Sequence, residues 1–231
     1  MNNLNIKMLR RLITRTHFGF VLMVMVLSYL AGCAADEKIK SASAVEQPPM
    51  PKGPTVARLD DGREGFVIME VPHMDEASRR DFEVAVAMLN DREYDGAIEL
   101  LEKVIEQSPS VTAPYIDIAI AYQRVGKLEQ AEEHLKTALH LVPEHPVACN
   151  EYGLLYRKTG RFAEARTIYE KTIARFPEYY PVHKNLGILC DLYLNDPACA
   201  LDHYKIYSKA VPEDQQVKLW IADLRARLGR N

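Results

Sequence analysis

The chain has 231 residues, with 29 Lys and Arg against 32 Asp and Glu and a formal charge of -3. That length allows one domain or at most two, and the near-balance of charge argues against a general nucleic-acid binder, which needs a basic field to neutralise phosphates. Apolar residues make up 48%, enough for a core, and four cysteines are too few for a disulfide scaffold.

Residues 1–32 carry Lys7, Arg10, Arg11 and Arg15 and no acidic residue, and within them an apolar run extends from Phe18 to Leu30. A basic stretch before a short apolar one is the layout of a secretory signal. A membrane-spanning helix needs about 20 apolar residues, and this run stops short at the polar Asp36 and Glu37. It ends in Leu30-Ala31-Gly32-Cys33. At these four positions the chain resembles a bacterial lipoprotein signal, whose lipobox is Leu, a small residue, Gly or Ala, and then Cys. The resemblance implies that the Cys33 thiol takes a diacylglycerol, that residues 1–32 are removed, and that the new amino group is acylated. Three acyl chains, at about 0.8 kcal/mol per buried methylene, give a lasting anchor where a single chain does not. A plain secretory signal with an incidental cysteine is the alternative reading. The processed chain would keep 199 residues, and the loss of four basic side chains takes its formal charge to -7. In enteric-type sorting, Asp directly after the Cys retains a lipoprotein at the inner membrane. Ala34 stands there in this chain, which favours the outer membrane over the inner, although Asp36 lies two residues further on.

Residues 33–73 read as the lipidated Cys33 and a flexible tether. Pro48, Pro49, Pro51 and Pro54 stand among small and charged residues, and such a composition buries too little apolar surface to offset its ordering entropy. A flexible chain of about 40 residues reaches roughly 35 Å. The exception is FVIMEV, Phe66 to Val71, which suits a short strand, a partner, or packing on the first helix; packing is the favoured expectation.

Beyond Asp75 the apolar pattern is helical, and it repeats. Ala97, Ala131 and Ala165 are 34 residues apart, as are Pro109, Pro143 and Pro177, Gly126 and Gly160, Gly153 and Gly187, and Tyr122 and Tyr156. These residues resemble the tetratricopeptide repeat, or TPR, a helix-turn-helix unit of that length. Residues 112–145 and 146–179 fit well, 74–111 are a degenerate first unit, 180–213 a fourth with one residue inserted in its turn, and 214–231 a closing helix. The resemblance implies an all-α, right-handed solenoid of about four helix pairs with a C-terminal capping helix. Trp220, in that last helix, is expected to pack at its edge.

No residue pattern suggests catalysis. The seven histidines form no i, i+4 pair of a zinc site, no Cys-x2-Cys accompanies them, and neither a phosphate loop nor a Gly-x-Ser-x-Gly elbow occurs. The expectation is of no enzyme, no metal, no cofactor, no nucleic acid and no small-molecule substrate. In the fourth repeat Cys190 and Cys199 lie nearly equidistant from the turn at Leu194 and Asn195. They are therefore expected to face each other, either as a disulfide in an oxidising compartment or as two buried thiols, with Cys149 left over.

In TPR arrays the first helices of the pairs line a concave groove. Carried onto this sequence, that lining is Ile116, Asp117, Ile120, Gln123 and Arg124, then Asn150, Glu151, Leu154, Arg157 and Lys158, then Lys184, Asn185, Ile188 and Asp191. Apolar rungs beside amides and bases suit an extended peptide or a helix. The chaperone-type carboxylate clamp is not reproduced. In layout the chain resembles the TPR lipoproteins of pilus assembly, and also those that scaffold peptidoglycan enzymes. The expected function is thus an outer-membrane-anchored adaptor binding envelope proteins. The alternatives are a scaffold for peptidoglycan enzymes, or an inner-membrane accessory of a transport or motility motor.

Overall fold

A computed structural model describes residues 55–58, 66–69 and 73–229. The signal-like segment, Cys33 and most of the tether lie outside the described residues. Strands β1 (Thr55–Arg58) and β2 (Phe66–Met69) pair antiparallel, with Val56 opposite Ile68. This corrects two expectations: within the tether Thr55–Arg58 and Phe66–Met69 form paired strands, and FVIM pairs with TVAR rather than packing on the first helix. Among the described residues neither strand meets a helix. The reason lies in local chemistry: both segments are rich in β-branched and apolar residues.

The remaining described residues form nine helices: α1 (Glu76–Asn90), α2 (Tyr94–Gln107), α3 (Thr112–Arg124), α4 (Leu128–Leu141), α5 (Pro146–Lys158), α6 (Phe162–Arg175), α7 (Tyr180–Leu192), α8 (Pro197–Ala210) and α9 (Gln215–Leu228). They pair as α1 with α2, α3 with α4, α5 with α6 and α7 with α8, and α9 closes on α8. Side chains set the starts. Asp75, Asp196 and Asp214 accept from the backbone N–H three residues on, at 2.7, 3.0 and 3.2 Å, each satisfying an otherwise orphan donor. His145 does the same for α5, its Nδ1 accepting from Ala148 N–H at 3.3 Å. The turn inside each pair needs one residue of positive φ: Arg92 at 66°, Gly126 at 80°, Gly160 at 76° and Asn195 at 49°. Glycine adopts this conformation without penalty and Asn with little; Arg92 is the strained member. Pro109, Pro143, Pro177 and Pro212 each follow the C-cap of a second helix, where the ring prevents continuation.

The core runs as a strip between the two helix rows. Ala97, Ala131, Ala165 and Ala200 are fully buried at the start of the second helices. Deeper in each pair, a small residue of the first helix and a large one of the second share the same cluster: Ala85 with Leu101, Ala119 with Leu135, Gly153 with Tyr169, and Gly187 with Tyr204. The sizes compensate. Where the second helix carries leucine the first carries alanine, and where it carries tyrosine the first carries glycine. A Cβ on Gly187 would sit 2.5 Å from Tyr204 Cε1, and one on Gly153 closer still to the Tyr169 ring.

Hydrogen bonds then join pair to pair. Tyr122 Oη donates to Glu102 at 2.7 Å, and Glu132 accepts from Tyr152 at 3.0 Å and from Arg161 at 2.8 Å. Desolvation opposes the Glu132 charge, but the bonds from Arg161, Lys136 and Tyr152 outweigh it and hold the carboxyl below its ordinary range. In the fourth pair Cys190 and Cys199 form a disulfide, with S–S 2.11 Å and Cα atoms 6.0 Å apart, across the longer turn. Cys149 is a buried thiol, pushed up to about 11 by desolvation.

Four buried or half-buried histidines contribute to the acid response of this fold, beside carboxylates such as Glu132 that are held below their ordinary range. Burial holds His134, His145, His183 and His203 below the ordinary imidazole value, His145 at about 4. His183 Nε2 lies 3.1 Å from the Pro177 carbonyl, to which it can only donate, and His183 Nδ1 lies 2.9 Å from His203 Nδ1. That fixes the tautomers: His203 donates through Nδ1 to the unprotonated Nδ1 of His183.

Two predictions follow from this packing and protonation. Gly187→Ala should cost about 1–3 kcal/mol by overpacking, and Gly126→Ala, whose Cβ meets open space, about 1 kcal/mol through its backbone angle alone. Gly153→Ala combined with Tyr169→Leu rebuilds the alanine–leucine pair of the first two repeats and should recover most of the loss of Gly153→Ala; chemical denaturation of the four variants reads this, and strict additivity would refute the size compensation. The second concerns pH. The unfolded His145 takes its proton near 6.5 and the folded one only near 4, so its stabilisation is complete above pH 6.5 and is lost as pH falls towards 4. The integrated loss is about 3 kcal/mol. Asp117, raised to about 6, works in the opposite sense, so the test is a difference. His145→Asn keeps an N-cap without an imidazole, and its melting temperature should fall less than that of the wild type between pH 7 and pH 4.5.

Candidate functional site

Among the described residues the backbones of the first helices of successive pairs, α1 with α3, α3 with α5 and α5 with α7, approach one another along the array, whereas those of the second helices do not. The row that is drawn together is the inside of a bend. The array therefore curves towards its first helices, and their free faces form the groove floor.

The structure sorts the sequence-derived lining into three kinds. Ile116 is a correction: it is 4% exposed and packs in a small core cluster with Tyr115, Ala138 and Ala148, because its helix turns it towards α4 and α5. Gln123 and Asn150 are also buried, but as polar ties. Gln123 Nε2 donates to the Glu151 carbonyl at 3.4 Å, Asn185 Nδ2 to Asn150 Oδ1 at 2.9 Å, and Lys158 Nζ to the Gln123 carbonyl at 3.2 Å. These bonds close the seams between α3 and α5 and between α5 and α7. Ile120, Leu154 and Ile188 are half-buried rungs, Arg157, Lys184 and Asn185 are half-buried, and Arg124 and Lys158 are exposed.

Charge on this floor is unevenly satisfied. Burial, with the Glu151 charge beside it, raises the Asp117 carboxyl to about 6. Burial also raises Glu151, against the bond from Asn150 and the charges of Lys158 and Arg124. Lys158 is exposed as a residue, but partial burial of its ammonium against the Gln123 carbonyl, and then the Arg124 charge, lower it. The buried Gln123 Oε1 has no hydrogen-bond partner. The half-buried Asp117 and Glu151 carboxylates, not that enclosed amide oxygen, are the acceptors this floor offers to a ligand with donors to spare. Further along, Lys184 Nζ is committed to Asp214 at 2.6 Å.

The lining continues onto α9, where sequence reasoning saw only a cap. Trp220, Asp223 and Arg227 bound a cleft of about 610 Å³ together with Ile188, Asp191, Leu192 and Tyr204. Trp220 packs on Tyr204 and the core beside it, as expected, with ring centroids 5.3 Å apart, and it also lines the cleft. A signal was available. Continuing the repeat numbering into residues 215–228 places Trp220, Asp223 and Arg227 at the positions that line the groove in earlier repeats.

Among the described residues no group of three or more His, Cys, Asp and Glu side chains is placed to hold a metal ion, and no helix is long and apolar enough to cross a membrane.

Residues 116–180 match the family model described as tetratricopeptide repeat. Among solved structures, the chain is similar to that of Pseudomonas aeruginosa pilF, with a TM-score of 0.62 and 23% identity, covering 68% of this chain and 71% of that one. At that identity the likeness concerns the fold alone. Among curated proteins it is 35% identical over 78 residues to the photosystem I assembly protein Ycf3 of a Synechococcus species, 32% of this chain and 45% of that protein. It is 30% identical over 95 residues to a probable UDP-N-acetylglucosamine–peptide N-acetylglucosaminyltransferase SPINDLY of Solanum lycopersicum, 40% of this chain but 10% of that protein. The chain thus spans less than half the length of these curated relatives, and the transferase match falls within the repeats. The repeat spacing, the paired helices and the match over residues 116–180 agree: the described residues form a tetratricopeptide-repeat array of four helix pairs and a closing helix.

Proposed function

We propose that this protein is a lipid-anchored adaptor of the bacterial envelope, held at the outer membrane through acylated Cys33, whose repeat groove binds segments of protein partners. The observation that carries the binding half is the curved inner floor, where apolar rungs Ile120, Leu154 and Ile188 alternate with fixed amides and incompletely satisfied carboxylates. Amides and carboxylates supply hydrogen bonds to a peptide backbone and the rungs supply burial, with no nucleophile or base required. The anchoring half rests on Leu30-Ala31-Gly32-Cys33 and Ala34. Likeness in fold to pilF and in sequence to an assembly protein supports a role in building a larger envelope structure, pilus or secretion machinery first among them.

Two measurements test the halves separately. Cells fed labelled palmitate should label the wild type and not Cys33→Ser, and gradient fractionation should place the wild type with outer membranes; an unlabelled wild type overturns the anchor. A photo-crosslinking residue placed at Ile120 or Leu154 should capture the same partner in cells, and one placed at the outward-facing Lys171 should not. Adducts confined to Lys171 would overturn the groove.

A further inference from the structure

The seams of the inner floor are not alike. Between α3 and α5, and between α5 and α7, the backbones approach and the Gln123, Asn150 and Asn185 amides bridge them. Between α7 and α9 the backbones do not approach. Repeats two, three and four carry Asp117, Glu151 and Asn185 where α9 carries the larger Trp220, which lines the interval and packs on Tyr204 of α8. The interval is the cleft of about 610 Å³. Arg227 crosses it to Asp191 at 2.5 Å and also binds Asp223 at 2.9 Å.

We propose that this cleft docks a bulky apolar side chain of a partner segment that carries a lysine or arginine close beside it. The proposal rests on the reading that the inner face binds protein. The walls argue for the apolar part: Ile188, Leu192 and Trp220 face the space, and Leu192 is left 68% exposed. A half-buried tryptophan at the edge of a preformed cleft is the kind of residue that dominates binding energy once covered. Charge argues for the cation. Among the residues that line the cleft, two carboxylates, Asp191 and Asp223, share the one guanidinium of Arg227, so the lining itself is net negative, with the Arg157 guanidinium outside it but near enough to act on Tyr204. Lys184 nearby adds nothing to that balance, being paired with Asp214. Asp223, with its side chain 67% exposed, remains open to an incoming cation at modest desolvation cost, whereas an acidic neighbour would meet two like charges.

Trp220 is the only tryptophan of the chain, so its fluorescence reports this cleft directly. A random peptide library displayed on phage is selected on the full chain, and enriched peptides are synthesised and titrated. The expected winners carry Phe, Trp, Leu or Met within a few residues of Lys or Arg and change Trp220 emission on binding. Asp223→Lys, a surface exchange that spares the fold, should weaken them by more than about tenfold, as should Trp220→Ala. Winners that are acidic or neutral, or that bind Asp223→Lys as well as the wild type, overturn the proposal. If such winners are lost on Asn150→Ala or Leu154→Ala, the groove still binds protein and only the cleft assignment fails; a library without any winner removes both.

Discussion

The close approach of the two helices within each pair governs this molecule. At one depth in every pair a small residue faces a large one, Ala85 and Leu101, Ala119 and Leu135, Gly153 and Tyr169, Gly187 and Tyr204. Protein interiors are packed too densely to absorb an uncompensated methylene, so the two sizes must be chosen together. Once they fit, the helices have one separation and one register, and the faces presented to the next pair are fixed. A single hairpin of this kind cannot bury its apolar side, which is why the pairs stack and the core becomes a continuous strip.

Curvature is decided by a second, weaker set of contacts. On the inside, Asn185 to Asn150 and Lys158 to the Gln123 carbonyl tie successive first helices, whereas the second helices diverge. A polar tie in a half-buried floor contributes little net stability, but leaving either partner unsatisfied is expensive. These bonds therefore select one arrangement among several of similar apolar burial. Asp117 and Glu151 stay beside them in a site that disfavours their charge, an electrostatic cost that a bound donor would relieve.

The last third of the array departs from the regular pattern in two places. The turn of the fourth pair is longer, uses Asn195 in place of glycine for its positive φ, and is clasped by Cys190 and Cys199. Closing a loop of this length by a covalent bond constrains the unfolded chain by about 2–3 kcal/mol, a gain available only where thiols oxidise. The closing helix α9 then stands apart from α7, and the stack ends on its inner side in a cleft rather than a sealed seam.

What the sequence by itself determined is whatever depends on local chemistry or on a fixed period. The 34-residue spacing of Ala97, Ala131 and Ala165 places the helices, the prolines and glycines punctuate them, and Cys190 and Cys199 stand symmetrically about their turn. Tertiary structure alone decided what depends on how far apart two elements come to rest. Phe66–Met69 has the local composition of a strand, but which element would be its neighbour was settled only by the pairing with Thr55–Arg58. Ile116 shared the groove-lining spacing of Ile120 and is nevertheless core, because α4 and α5 converge over it. Trp220 looked like a cap residue, yet it borders a cleft: the repeat numbering marks its groove-lining position, but the width of the gap between α7 and α9 depends on how the two helices pack.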